Sequence, residues 1–134
     1  MKTTIKKILS KLFEKDILYI RVFHKKIEIK NIKTDQEISY GISQTYSNDR
    51  MLIADFEIFE QQLKNAIAQS KGHKSVNKSV RIIFQPIDDT VTEFSPVEKR
   101  AFLDSCEHAG ASHVYVIKGK EKLTNDAIMD IINY

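Results

Sequence analysis

The run Val80-Arg81-Ile82-Ile83-Phe84, closed by Pro86, constrains the fold more than any other stretch of the chain. It is almost wholly apolar and too short for a helix, and Pro86 together with the polar residues before it bounds it on both sides. A strand that does not alternate has both faces buried, so it belongs in the interior of a sheet with cover above and below. Helical patterns flank it. Asp55 is a good N-cap, and Phe56, Phe59, Leu63, Ala66 and Ile67 continue at helical spacing toward Gly72, which predicts a helix over 56–70. Ser95-Pro96-Val97-Glu98 combines a capping box with proline at the first helical position and predicts a second helix running to Gly110. His113-Val114-Tyr115-Val116-Ile117 then reads as another strand, reached by a crossover that must be right-handed.

Upstream, Ile17 to Phe23 and Ile27 to Ile32 are rich in β-branched and aromatic residues, and Ile27-Glu28-Ile29-Lys30 alternates as a half-buried strand does. The polar His24-Lys25-Lys26 between them reads as a hairpin turn, and a third strand is expected over 37–43. Ala127, Ile128, Ile131 and Ile132 share one side of a last short helix over 125–132. The predicted order is β-β-β-α-β-α-β-α, an α+β (mixed α/β) fold with a mixed sheet of about five strands and helices packed on its faces.

Residues 3–15 are different. Ile5, Ile8, Leu9, Leu12 and Phe13 share one helical face, Lys7 and Lys11 point away from it, and Lys6 and Lys15 flank it. Residues 1–15 therefore read as a basic amphipathic N-terminal helix and 16–134 as a single domain. The formal charge is +3, and Lys2, Lys6, Lys7, Lys11 and Lys15 oppose only Glu14 in the leader, so the body is close to neutral and has no global nucleic-acid footprint. A lone cysteine, Cys106, excludes an internal disulfide and any multi-cysteine metal site and suits a reducing compartment. No secretory h-region and no apolar run long enough to span a membrane is present.

Several stretches resemble the bacterial actin homologue MreB. Leu52-Ile53-Ala54-Asp55-Phe56, followed by Glu60 and Leu63, is similar to a Val-Ile-Ala-Asp-Phe segment that leads into a helix in that family. Pro86 after a strand, Val97-Glu98-Lys99-Arg100-Ala101, and Ala109-Gly110-Ala111 before Val114-Tyr115-Val116-Ile117 resemble its Val-Glu-Arg-Arg-Ala helix, Gly-Ala turn and apolar strand. Leu12-Phe13 and Asp16-Ile17 resemble its membrane-binding N-terminus and first strand. The likeness runs over about residues 8–118, with extra stretches near Asp88 to Phe94 and after Lys118. It implies the first subdomain of an actin-like, ribonuclease-H-like fold.

The departures bear on function. The family's first hairpin has the form Asp-Leu-Gly-Thr, in which an acid organises metal and water and a glycine turn offers backbone N–H groups to phosphate. This chain has Tyr19-Ile20-Arg21-Val22-Phe23-His24-Lys25 there, with Arg21, or Ile20 in the neighbouring register, in place of the acid and no glycine before Gly41. Lys118-Gly119-Lys120-Glu121-Lys122 replaces the family's Glu-Pro-x-Ala-Ala-Ala helix. The resemblance also implies that the second phosphate loop and the adenosine pocket lie in a half of the fold beyond Tyr134. No nucleotide, metal or other cofactor and no catalysis are therefore expected.

Other clusters read as structure. Cys106 and His108 fall on different faces of their helix, and Cys106 follows Phe102 and Leu103 at core spacing. His24, His73, His108 and His113 share no metal-ligand spacing. Asp88-Asp89 with Glu93 reads as a solvated acidic turn, and Lys118-Gly119-Lys120 as a strand-to-helix turn without the flanking residues of a phosphate loop. Lys71, His73, Lys74 and Lys78 form a basic loop without interleaved aromatics. A hydrolase on this sheet would need acids converging from strand ends, and the first strand supplies none in its interior.

The expectation is a non-catalytic, MreB-like scaffold or adaptor, cytoplasmic and peripheral to the inner membrane, in cell shape, division or envelope assembly. Its partners would be a protein or a second copy, and an anionic membrane surface. The leader residues Ile5, Lys6, Lys7, Ile8, Leu9, Lys11, Leu12 and Phe13 are the site, bound either to lipid or packed on the domain or a partner. The alternative is a basic regulatory module binding nucleic acid through the 71–78 loop.

Overall fold

The computed structural model describes residues 16–71, 80–89, 91 and 93–133. The expected leader helix, with Ile5, Lys6, Lys7, Ile8, Leu9, Lys11, Leu12 and Phe13, lies outside the described residues, as do Gly72, His73, Lys74 and Lys78. Within them the elements are β1 (Asp16–Val22), β2 (Lys26–Asn31), β3 (Gln36–Gly41), α1 (Phe56–Lys71), β4 (Val80–Pro86), α2 (Pro96–His108), β5 (Ala111–Val116) and α3 (Asn125–Ile132). The element order is the expected one.

One five-stranded sheet has the order β3-β2-β1-β4-β5. β1, β2 and β3 form an antiparallel meander, while β1 pairs parallel to β4 and β4 parallel to β5. The apolar β4 run is thus interior, as its lack of alternation requires. Side chains alternate across the sheet. Leu18, Ile20, Val22, Ile27, Ile29, Ile82 and Phe84 join a large core with Phe59, Leu63, Ala66 and Ile67 of α1 and Phe102 and Cys106 of α2. Ile17, Tyr19 and Ile83 form a smaller core on the other face, which Ile128 of α3 closes.

Aromatic rings brace the large core. Tyr46 and Phe59 meet edge to face at 5.0 Å, Phe59 and Phe84 at 6.2 Å, and Phe84 stacks on Phe102 at 5.1 Å. Such offset and edge contacts stabilise beyond area burial alone. Local chemistry agrees with the packing: Ile58 N–H donates to Asp55 Oδ1 (3.0 Å), and Ser95 and Glu98 form a reciprocal capping box at α2. Gly110, at φ +102°, supplies the left-handed residue that lets the chain leave α2 for β5.

Two readings of the sequence change. Lys26 belongs to β2, paired opposite Gly41, so the first turn is Phe23-His24-Lys25, closed by Phe23 N–H donating to the Lys26 carbonyl (2.9 Å). Asp88 is not a solvated turn residue, since its side chain is 1% exposed. Ile87 N–H extends the parallel ladder by donating to the Val22 carbonyl (2.8 Å), which draws the residue after it beneath the hairpin. Asp89 and Glu93 do face solvent.

Candidate functional site

In open sheets with parallel strands, ligands bind beyond the strands' carboxyl ends, where the connection pattern changes direction. Here that place is the end of β1 and β4, with an antiparallel neighbour on one side of β1 and parallel neighbours on the other. The 23–25 turn, residues 87–89 and 93–95, and the 117–124 segment meet there.

Arg21 sits on β1 directly opposite Glu28 of β2 and Gln85 of β4. Register alone brings the three side chains together on one face. The Arg21 guanidinium donates to Gln85 Oε1 (3.1 Å), Glu28 Oε1 (3.3 Å) and the Lys120 carbonyl (2.6 Å). Gln85, which is 1% exposed, turns its amide outward to the Gly119 (3.1 Å) and Glu121 (2.9 Å) carbonyls. Tyr19 donates its hydroxyl to Gln85 Oε1 and accepts from the Leu123 N–H (3.0 Å). Burial pushes the Tyr19 phenol above its ordinary range, against the opposing pull of the Leu123 N–H and Arg21. These buried polar groups find full partners only when residues 119–123 lie across the strand ends as a strap.

The strap is tied at its outer end as well. Lys122 pairs with Glu37 of β3, and Asn125 donates to Asp35 Oδ1 (3.1 Å), in the β2–β3 turn. The Asn125 amide and Lys30 hold the Asp35 carboxyl below its usual range. Asp35 itself adopts φ +61°, a left-handed turn conformation that aspartate tolerates better than most residues.

The first hairpin is closed by its own neighbours. Tyr46 donates its hydroxyl to the Phe23 carbonyl, and Ser47 donates to the His24 carbonyl (3.3 Å). Two cations lie over the Phe23 ring, with Arg21 Cζ 5.2 Å and Lys26 Nζ 4.6 Å from its centroid. His24 Nε2 reaches Asp88 Oδ2 at 3.3 Å, placing an imidazole against the buried carboxylate at the end of β4.

On the α2 side of the same ends lies a cleft of about 420 Å³. Pro86, Val91, Phe94, Leu103 and Val116 form its apolar lining, with Lys99, Lys118 and Lys120 at its mouth. The two segments in which the chain departs from its family resemblance, 88–94 and the residues from 118 on, supply much of this wall.

Elsewhere, Cys106 is fully buried, and its thiol is pushed up by desolvation and the Glu107 charge, whereas His108 pairs with Glu60 of α1. Among the described residues no three of His, Cys, Asp and Glu gather as metal ligands, and no helix is long and apolar enough to cross a membrane. Sequence reasoning missed the Arg21, Gln85 and Tyr19 network. The available signal was a polar residue at the penultimate position of both β1 and β4, after the apolar centres Ile17–Ile20 and Ile82–Phe84.

Comparison with known proteins agrees with this architecture. The MreB/Mbl protein family profile matches residues 25–128. Two crystal structures of MreB5 of Spiroplasma citri, one bound to AMPPNP and one to ADP, superpose with TM-scores of 0.56 and 0.55 at 14% identity. Each superposition covers 78% of this chain, which spans 39% and 38% of those chains. The shared fold is actin-like. No curated protein sequence matches the chain.

Proposed function

The chain belongs to the MreB/Mbl family, and from that premise we propose that it is a non-catalytic scaffold or adaptor in cell shape, division or envelope assembly, acting by protein–protein contact. One observation carries the reading. The MreB5 relatives are bound to AMPPNP and ADP, yet the hairpin that a phosphate would need to approach here is committed to internal partners. Arg21 stands where the family resemblance calls for an acid, and its donors are engaged by Glu28, Gln85 and the Lys120 carbonyl. The nearby buried carboxylate, Asp88, faces His24. Phe23 supplies bulk where a glycine would admit phosphate. These residues do not fit a magnesium nucleotide.

Family membership and the retained sheet support binding as the remaining role. The leader residues Ile5, Ile8, Leu9, Leu12 and Phe13, with Lys6, Lys7 and Lys11, would supply a reversible attachment to an anionic membrane surface. Titration calorimetry with magnesium-ATP tests the central point: no heat of binding is expected, and micromolar affinity would overturn the reading. Liposome co-sedimentation tests the leader, since equal binding by the whole chain and by a variant beginning at Asp16 would remove it from the proposal.

A further inference from the structure

We propose that the cleft between Phe94, Leu103 and Val116 is a binding site for a small amphipathic carboxylic acid, one with an aromatic or branched apolar body and a single terminal carboxylate. The cleft's volume of about 420 Å³ falls within the ordinary range of small-molecule sites, about 300–1,000 Å³. Its walls are apolar and fixed: Phe94 meets the buried Phe102 edge to face at 5.2 Å, and Leu103 projects from the same helix as Phe102. An apolar body gains by leaving water there.

The mouth specifies the charge. Lys99 of α2 and Lys118, two residues past β5, converge on one oxygen, Glu93 Oε1, at 3.8 and 3.5 Å. Glu93 is two-thirds exposed and belongs to the loop rim, so a ligand can take its place without unpacking the core. Its carboxylate marks the position that a ligand carboxylate would occupy, with the apolar body directed toward Phe94, Leu103 and Val116. Lys120 stands nearby, engaged with Asp89 at 3.4 Å. The remaining acid of the lining, Asp88, is answered from the hairpin side by His24. The proposal is independent of the scaffold reading: either can fail without the other.

The test is an amide-resolved NMR titration of the whole chain with phenylbutyrate, phenylbutylamine and acetate as probes. Phenylbutyrate is expected to give saturable shifts at Phe94, Leu103, Val116 and Gly119, with a roughly millimolar dissociation constant, as suits so small a ligand. The amine, which lacks the charge match, and acetate, which lacks the apolar body, are expected to bind at least about tenfold more weakly. Glu93→Gln removes the built-in competitor and should tighten phenylbutyrate binding by about threefold. The Lys99→Glu/Lys118→Glu pair should weaken it by about fivefold or more, in keeping with exposed ion pairs. Both substitutions lie on the rim, and an unchanged amide spectrum away from the cleft reports that the fold is intact. Equal binding of the amine, shifts scattered over the surface, no saturation with phenylbutyrate, or a Glu93→Gln variant that binds no tighter would each overturn the proposal.

Discussion

Replacing Gln85 with methionine tests whether the strap is held by polar chemistry or merely rests on the sheet. The two side chains are close in length, so the substitution keeps volume while removing every hydrogen bond the amide makes. The Gly119 and Glu121 carbonyls lose one donor each, worth about 1 kcal/mol apiece. The Tyr19 hydroxyl keeps its bond from the Leu123 N–H but loses its acceptor in a buried setting, at a cost of about 2 kcal/mol. The methionine's apolar atoms return about 1 kcal/mol, and Arg21 retains Glu28 and the Lys120 carbonyl. The net expectation is a loss of about 3 kcal/mol, read as a lower urea midpoint at unchanged slope. Hydrogen exchange at the Leu123 amide should accelerate more than that of the β4 ladder, because the strap opens before the sheet. Adding Tyr19→Phe removes the orphaned hydroxyl, so the double variant should be less destabilised than the two single effects added together. A loss below about 1 kcal/mol, or unaltered protection at Leu123, would refute the idea that this network fastens the strap.

Phe84→Ala removes the ring through which Phe59 and Phe102 are joined, and should cost about 3–5 kcal/mol in chemical denaturation. Ser95→Ala removes the hydroxyl that accepts from the Glu98 N–H, while the backbone N–H of residue 95 can still donate to the Glu98 carboxylate; it should cost about 1 kcal/mol, with exchange accelerated at the Glu98 amide. Burial raises the folded-state values of both the Cys106 thiol and the Tyr46 phenol, so the unfolded chain releases these protons first. Stability should be complete below about pH 8 and then fall by about 1.4 kcal/mol per pH unit for each group once its unfolded form ionises, the thiol first and the phenol later. Urea midpoints measured from pH 8 to 11 check this, and a flat profile would contradict it. Cys106 should likewise resist alkylation in the native state until denaturant is added.

Much of the fold was legible because it rests on local or periodic signals. The non-alternating β4 run announced an interior strand, Asp55 and the Ser95-Glu98 box announced helix starts, and Gly110 announced the turn into β5. The site was less legible. Asp88 looks like a turn carboxylate in a polar stretch, and only the ladder bond from Ile87 to Val22 draws it inside. Gln62 looks like a helix surface residue, yet it is 1% exposed and accepts from the Tyr40 hydroxyl and the Ser43 N–H, which fastens the 42–55 connection to α1. Tyr46, within that irregular connection, gives no periodic sign that it fills the core.

The sequence by itself determined which segments become strands and helices and in what order, and that the 19–25 stretch lacks both glycine and acid, because each follows from residue type and spacing along a few turns of chain. Tertiary structure alone decided what the polar residues do. The parallel register of β1 and β4 sets Arg21 beside Gln85, separated by 64 residues in the chain, and the strap reaches back across the sheet to meet them. Hydrogen bonds act over about 3 Å, so a chain read in one dimension holds no record of which distant donor will find which acceptor.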